Sequence, residues 1–266
     1  MVRFAVAQSA PPVRYTDARL GDALRLRYLE QGPSEGDAVL MLHGLSDSSF
    51  SFSGVLPLLP HTLRVIVPDQ RGHGDSDRPA RYSIDEFALD AVELLDGLQV
   101  PRVTLVGHSM GSFIARRIAA FAPGRIERLV LIGTGPSGDN AVTREVAADI
   151  HKLSDPVDPE FVRRFQIASS SDQLPREFLE RIISESLKLP ARVWRASIDA
   201  ILSYTPVDDQ IDCDTLVLGG ERDPVFSAAE HRELADRIPN ARLKLFDNIG
   251  HALHWEDPQA LARVIS

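Results

Sequence analysis

Between an apolar run, Pro101 to Val106, and a helix-forming run, Ser112 to Phe121, only Gly107-His108-Ser109-Met110-Gly111 is left to turn the chain. A buried strand feeding a helix through so short a turn strains the backbone of its middle residue. The side chain of that residue then stands out at the carboxyl end of the sheet. Glycine is required at 107 and 111, because a Cβ at either would collide with the neighbouring strand and helix. The helix amino terminus behind Ser109 offers unpaired N–H groups to negative charge forming nearby. The stretch predicts an exposed serine on a strand–turn–helix, in need of chemical partners from elsewhere in the chain.

The remaining pattern predicts an α/β domain. Residues 1–12 read as a loose lead-in. Val13 to Leu20 and Leu24 to Leu29 alternate apolar with polar around Gly21-Asp22, as an antiparallel hairpin at a sheet edge does. Ala38 to Leu42, Leu63 to Val67, the run before Gly107, and Arg128 to Ile132 read as strands buried on both faces. A helix is expected over about 50–59. Another is expected from Ser83-Ile84-Asp85-Glu86, a capping box followed by apolar residues at helical spacing. Strand and helix in alternation build a parallel sheet with helices on both faces.

After Gly133 the rhythm breaks. The next strand-like run, Thr215 to Leu218, lies far beyond the usual connection of about 2–6 residues. Helical patterns near 143–152, 159–169, 175–188 and 190–203 fill the gap. Residues 136–212 are therefore read as a helical lid inserted after the sixth strand, with 1–135 and 213–266 forming the core. Its 9 basic and 14 acidic residues disfavour polyanionic substrates. The alternation then resumes, with a second capping box at Ser227 and Glu230, a strand at 242–247 and a helix from Pro258. The expected sheet has eight strands and is mostly parallel.

The formal net charge of −9 argues against nucleic acid or an anionic membrane as partner. A small-molecule substrate and a monomer or homodimer are expected. The one cysteine, Cys213, forbids an intramolecular disulfide and reads as a small buried residue. No apolar segment near residue 1 resembles a secretory leader, and no run approaches the roughly 18 residues of a membrane span. A cytoplasmic protein is expected. The abrupt end at Ile265-Ser266 leaves room for a short continuation.

A serine hydroxyl is a poor nucleophile unless a base takes its proton, and that base needs an orienting carboxylate. Of eight histidines, His61, His151 and His231 read as solvated, and His108 as packing beside the elbow. His251 follows Gly250 in the loop leaving the last strand, at the sheet end where Ser109 sits. It is favoured as base over His254. Asp223, held extended before Pro224, is favoured as the carboxylate over Glu221 and Asp247. An oxyanion hole is expected from the backbone N–H groups of Met110 and Leu45. Gly44 allows close approach, and His43 braces the loop. Trp194, Phe161, Phe165 and Tyr204 are candidates for lining a substrate pocket. No cofactor or metal is called for.

Taken with Asp69-Gln70-Arg71-Gly72-His73-Gly74-Asp75-Ser76, the segments His43-Gly44, Gly107 to Gly111, Gly220-Glu221-Arg222-Asp223 and Gly250-His251 resemble the alpha/beta hydrolase superfamily, of the lid-bearing kind that includes small carboxylesterases and lactonases. The resemblance spans nearly the whole chain. It implies that fold, the order Ser109, Asp223, His251, and a mainly structural role for 69–76. Serine at the nucleophile position disfavours haloalkane dehalogenase and epoxide hydrolase chemistry, which use aspartate there. Ala252 stands where carbon–carbon bond hydrolases of this type usually place tryptophan. Ser112 replaces a glycine common after the elbow, and is expected to tighten helix–strand packing. The reading favoured is a serine hydrolase of a small, fairly apolar ester or lactone. The alternatives are a carbon–carbon bond hydrolase of a diketone-like substrate and a small-molecule receptor that retains the triad.

Overall fold

The computed structural model describes residues 11–21, 24–170 and 174–266. Residues 1–10 of the lead-in and Asp22 of the hairpin turn lie outside the described residues. Eight strands form one sheet: β1 (Arg14–Leu20), β2 (Leu24–Gln31), β3 (Ala38–Leu42), β4 (Arg64–Pro68), β5 (Val103–His108), β6 (Ile126–Ile132), β7 (Asp214–Gly220) and β8 (Ala241–Phe246). Their spatial order is β1-β2-β4-β3-β5-β6-β7-β8. The expected hairpin occupies one edge. β2 also pairs antiparallel with β4, and every other pairing is parallel.

Side-chain alternation explains the unbroken apolar runs. In β3, Leu40 and Leu42 pack with Leu94 and Phe113 on one face, while Val39 and Met41 pack with Phe52 and Leu261 on the other. Both faces are covered, so both sets of positions must be apolar. The first face carries α1 (Ile84–Gly97) and α2 (Met110–Phe121). Between β6 and β7 stand α3 (Ala141–Ile150), α4 (Pro159–Ala168), α5 (Arg176–Ser186) and α6 (Ala191–Leu202). Then come α7 (Ala228–Arg237), α8 (Leu253–Glu256) and α9 (Pro258–Ile265), the last packed on the second face.

Four local expectations need correction. The helix expected over 50–59 is two short 3-10 turns, Ser49–Phe52 and Leu56–Leu58. Gly54 and Pro57 divide that stretch: glycine weakens a helix, and proline supplies no N–H. Ser83 does cap α1, accepting the Glu86 N–H at 3.1 Å. The Glu86 carboxylate does not return to the cap, because Arg71 and Arg81 hold it. The box at Ser227 is complete, with Glu230 reaching back to the Ser227 N–H at 2.8 Å. Cys213 is only half-buried, beside Thr215. His231, read as solvated, is fully buried.

A buried arginine ties both ends of the inserted helices to the core. Arg116, on α2, has no exposed surface. Its Nη1 and Nη2 donate to the carbonyls of Gly135 (2.8 Å) and Pro136 (3.0 Å), where the insertion begins. Its Nε donates to Asp208 Oδ1 at 2.9 Å, where the insertion ends. The guanidinium also lies 4.9 Å from the Tyr204 ring centroid. Removing one member of a buried pair strands the other, at a cost of about 3–5 kcal/mol. We expect Arg116→Ala to lower unfolding free energy by about that much in urea denaturation. A loss below about 1 kcal/mol would mean that the pair does not anchor the insertion.

Candidate active site

The turn at 107–111 has the strained geometry expected of it. Ser109 has φ 51° and ψ −116°, a left-handed conformation for a residue with a Cβ. The crowding that imposes it is backbone on backbone. A Cβ on Gly107 would sit 2.3 Å from the Gly111 carbonyl oxygen, and one on Gly111 would sit 2.1 Å from that of Leu42. Ser112 adds a tie that glycine could not. Its hydroxyl donates to the Gly107 carbonyl at 2.6 Å and accepts the Ile132 N–H at 3.2 Å, fastening α2 to the ends of β5 and β6. The Ser109 N–H is spent on the Ile132 carbonyl, 2.9 Å away.

His251 and Asp223 meet above the same sheet end. His251 Nδ1 lies 3.0 and 3.1 Å from the two Asp223 oxygens. Asp223 Oδ1 also accepts the N–H groups of Val225 (2.8 Å) and Phe226 (3.1 Å), a turn that Pro224 helps hold. Burial alone would push this carboxyl up. The adjacent His251, by charge and hydrogen bond, with the two N–H groups, more than offsets that and holds it below the ordinary carboxylate range. Gly133 (φ 56°) makes room for the histidine loop, since a Cβ there would stand 2.4 Å from the His251 carbonyl oxygen. Ser109 and His251 line the same cavities, so the three side chains converge. Glu221 and Asp247 are exposed in turns.

His254 sits in a different network. It is buried, with Nε2 2.9 Å from the Ser51 hydroxyl. That hydroxyl donates to Asp47 Oδ2 at 3.1 Å and accepts Trp255 Nε1–H at 2.9 Å. Gln166, from α4, reaches Ser46 (3.0 Å) and Asp47 Oδ1 (3.3 Å). His108 packs 4.4 Å from the His254 ring centroid, and its Nε2 faces the His251 carbonyl at 3.2 Å. His108 Nε2 must therefore carry the proton, leaving Nδ1 an acceptor. Asp47, His108 and His254 each present one ligand-type atom within 4.8 Å of the others. Ser51 joins Asp47 to His254 by hydrogen bonds, while His108 bonds to the His251 carbonyl. His43 braces as expected, with Nδ1 against the Gly44 carbonyl (2.9 Å) and Nε2 accepting the Gln70 N–H (3.1 Å).

The segment 69–76 locks the sheet end. Asp69 accepts the N–H groups of Ser49 (2.7 Å) and Asp75 (2.9 Å), and Arg71 is clamped by Asp90 and Glu86. Leu45 lines the cavities beside Ser109, and Met110 opens α2, so both expected oxyanion donors border the serine.

The cavity above Ser109 and His251 holds about 300 Å³. Phe161 and Phe165 line it, together with Phe113, Val146, Ile198 and Phe226. Trp194 and Tyr204 do not, and the expectation for them is corrected. Trp194 is buried behind Phe161 and Phe165, with ring centroids 5.7 and 5.1 Å away. Tyr204 stacks on Phe113 and Arg116. Sequence reasoning missed His231, whose Nε2 lies 3.6 Å from Asp223 Oδ2. Its place in the first turn of α7, three residues after Ala228, on a helix that packs on β7, was the available signal.

Burial makes this region sensitive to pH. Desolvation lowers His43 to about 4, and His73 and His254 to about 3. Each is neutral in the fold but ionises near 6.5 when unfolded. Their stabilising contribution is complete above pH 6.5 and is lost as pH falls toward 3–4, by up to about 1.4 kcal/mol per pH unit for each. Asp47 runs the other way. Burial raises it to about 7, so its contribution is lost as pH rises from about 4 to 7. We expect urea midpoints to fall steeply below pH 6.5. Asp47→Asn should gain stability relative to the parent more at pH 8 than at pH 5. A difference between the two proteins that is flat across pH would refute the burial account of Asp47.

A family model described as alpha/beta hydrolase fold matches residues 37–258. The chain is 29% identical over 252 residues to the 2-hydroxymuconate semialdehyde hydrolase of Pseudomonas sp. (strain CF600), covering 87% of this chain and 85% of that one. It is 26% identical over 243 residues to the sn-1-specific diacylglycerol lipase of Danio rerio, covering 85% and 76%. A solved structure of a hydrolase from Pseudomonas aeruginosa PA01 superimposes with a TM-score of 0.82 at 27% identity, covering 94% and 96%.

Proposed function

The chain belongs to the alpha/beta hydrolase fold family, and from that premise we propose that it is a serine hydrolase cleaving a small, largely apolar carboxylic ester or lactone. The observation that carries the reading is one cavity of about 300 Å³, walled by aromatic and aliphatic side chains, whose polar floor is Ser109 and His251 with Asp223 behind. An apolar wall with few convergent polar groups suits a neutral substrate whose carbonyl comes to the floor. The diacylglycerol lipase relative is named for ester cleavage.

In this mechanism His251 accepts the Ser109 proton at Nε2 as Oγ attacks the carbonyl carbon. Asp223 keeps the other proton on Nδ1 and stabilises the imidazolium. The N–H groups of Met110 and Leu45 hold the oxyanion, each worth about 3–4 kcal/mol in comparable sites. His251 returns the proton to the leaving alcohol, and water then releases the acid by the same route. Residues 136–212 act as the lid, supplying Phe161, Phe165 and Ile198 to the pocket.

A second reading retains the triad but cleaves a carbon–carbon bond. The similarity to 2-hydroxymuconate semialdehyde hydrolase favours it. The two separate by assay of short p-nitrophenyl esters against a vinylogous diketone.

We expect Ser109→Ala and His251→Ala to lower ester kcat/KM by at least about 10³-fold, and Asp223→Asn by about 10⁴-fold. His254→Ala should remain within about tenfold of the parent. Ester cleavage intact in Ser109→Ala would end the reading. Activity lost in His254→Ala but kept in His251→Ala would move the base to position 254.

A further inference from the structure

Asp223 is an ionised carboxylate whose side chain has no exposed surface, and a buried charge needs donors around it. Its Oδ1 accepts the Val225 and Phe226 N–H groups, and His251 Nδ1 lies 3.0 Å from Oδ2. A further polar atom stands at Oδ2: Nε2 of His231, 3.6 Å away. His231 is itself fully buried, and neither of its ring nitrogens has a hydrogen-bond partner among the described residues. The fold makes a seat for this ring. A Cβ on Gly219 would stand 2.6 Å from the ring Cγ, so the end of β7 must be glycine for the imidazole to lie there. The capping box at Ser227 and Glu230 sets where α7 begins, and α7 packs on β7 with residue 231 in its first turn. A buried imidazole gives up hydration that an aliphatic side chain in the same seat would not. The neighbouring carboxylate is what such a ring can answer.

We propose that His231 is a positioning residue of the triad, its ring carrying a proton on Nε2 that is directed at Asp223 Oδ2. The proposal rests on the serine hydrolase reading above. At 3.6 Å the pair is longer than an ordinary hydrogen bond. Its effect is that of an N–H dipole aimed at a desolvated charge, which a low-dielectric interior strengthens. The opposite tautomer would turn a lone pair toward the carboxylate. The titratable groups acting on His231 are Asp223 of the loop after β7, His251 of the loop after β8, and Glu230 of α7. Burial is the largest influence and, with His251, outweighs the two carboxylates, so the ring is held below the ordinary histidine range and stays neutral. Glu230 is occupied by the Ser227 N–H and by Asn140. The Asp223–His251 pair carries one negative charge while His251 is neutral and none once His251 takes a proton. An N–H at Oδ2 favours the anionic form, the one in which His251 is free to act as base. It also resists rotation of the carboxylate away from His251 Nδ1.

The test compares the whole chain with His231→Phe, which fills the seat without a donor, and His231→Gln, whose amide N–H replaces the ring Nε2–H. The readouts are the pH profile of kcat/KM on p-nitrophenyl butyrate and, without substrate, the ring nitrogen chemical shifts of isotope-labelled histidine. In His231→Phe we expect the acid limb of the profile and the His251 titration to move up by about half a pH unit. In His231→Gln both should stay within about 0.2 of a pH unit of the parent. kcat should fall about tenfold in His231→Phe with KM within about twofold, because His231 does not line the pocket. An unmoved or lowered limb in His231→Phe, or the same shift in both variants, marks packing alone and overturns the proposal. If His231→Phe does not fold, the parent decides: the shifts must show a neutral His231 protonated on Nε2, and a proton on Nδ1 overturns the proposal. A parent that cleaves no ester and forms no acyl adduct on Ser109 by intact mass defeats the serine hydrolase reading. The His251 titrations still decide the His231 contact in that event, so the two failures are distinct.

Discussion

One of the closest backbone approaches at the molecule's working end is between the first turn of α2 and the last residue of β3. At Gly111 the helix passes so near the Leu42 carbonyl that a methyl group would lie 2.1 Å from its oxygen. Everything around Ser109 is fixed by that contact. It brings the loop after β3, with Gly44 and Leu45, beside the helix terminus that starts at Met110. It drives Ser109 into a left-handed conformation whose strain the surrounding packing must hold. The Ser112 hydroxyl extends the same clamp to β6. Ser109 and both expected oxyanion donors thus ride on one junction, the kind of rigid placement that electrostatic stabilisation of a transition state requires.

Behind that junction the chain buries an unusual amount of polar chemistry. His43, His73, His108 and His254 are all inaccessible and kept neutral by burial. Ser51 stands between Asp47 and His254 with only one hydroxyl proton. It can serve the carboxylate or the imidazole nitrogen, not both, so the protonation of Asp47 and the tautomer of His254 are linked. Such a network gives geometric definition more than net stability, because each member has lost its hydration. The serine thus borders a cavity lined by Phe113, Phe161 and Ile198 and a smaller one lined by Asp47, His108 and Gln166 as well as by Leu45 and Phe165.

The sheet was legible because its inner strands are buried on both faces and read as continuous apolar runs, while the edge hairpin β1–β2 alternates. The floor of the site was legible because parallel strands deliver their following loops to one end: Ser109, Asp223 and His251 each follow a strand, Asp223 bonds His251, and Ser109 lines the same cavities as His251. What stayed hidden depends on contacts between segments remote in sequence. Arg116 reads as a surface helix residue until Gly135, Pro136 and Asp208 are seen to enclose it. His231 reads as solvated because its polar neighbours in sequence face outward while it faces Asp223. Trp194 and Tyr204 were misplaced for the converse reason. An aromatic on an inserted helix can face the pocket or back the residue that does, and spacing alone does not choose. Phe161 and Phe165, one turn apart on α4, take the pocket face and Trp194 supports them.

The inserted helices are attached to the core unevenly: besides Arg116, α3 is tied through Asn140 to Val225 and Glu230, and the α5–α6 region through Lys188 to Asp75 and Arg192 to the carbonyls of Arg78 and Pro79, whereas α4 has Gln166. At both ends the attachment is Arg116, a buried charge whose loss costs about 3–5 kcal/mol. At α4 it is Gln166, whose amide donates to Ser46 and Asp47 of the core and to Ser186 of the neighbouring α5, each bond worth about 0.5–1.5 kcal/mol net when neutral. Water can replace these bonds if α4 moves outward, whereas it replaces a desolvated guanidinium's partners only with the whole insertion detached. The least costly opening of the apolar pocket therefore pivots on fixed ends and displaces α4. That displacement also removes Gln166 from Asp47, so opening of the apolar pocket and loosening of the hydrogen bonds around Asp47 are mechanically the same event.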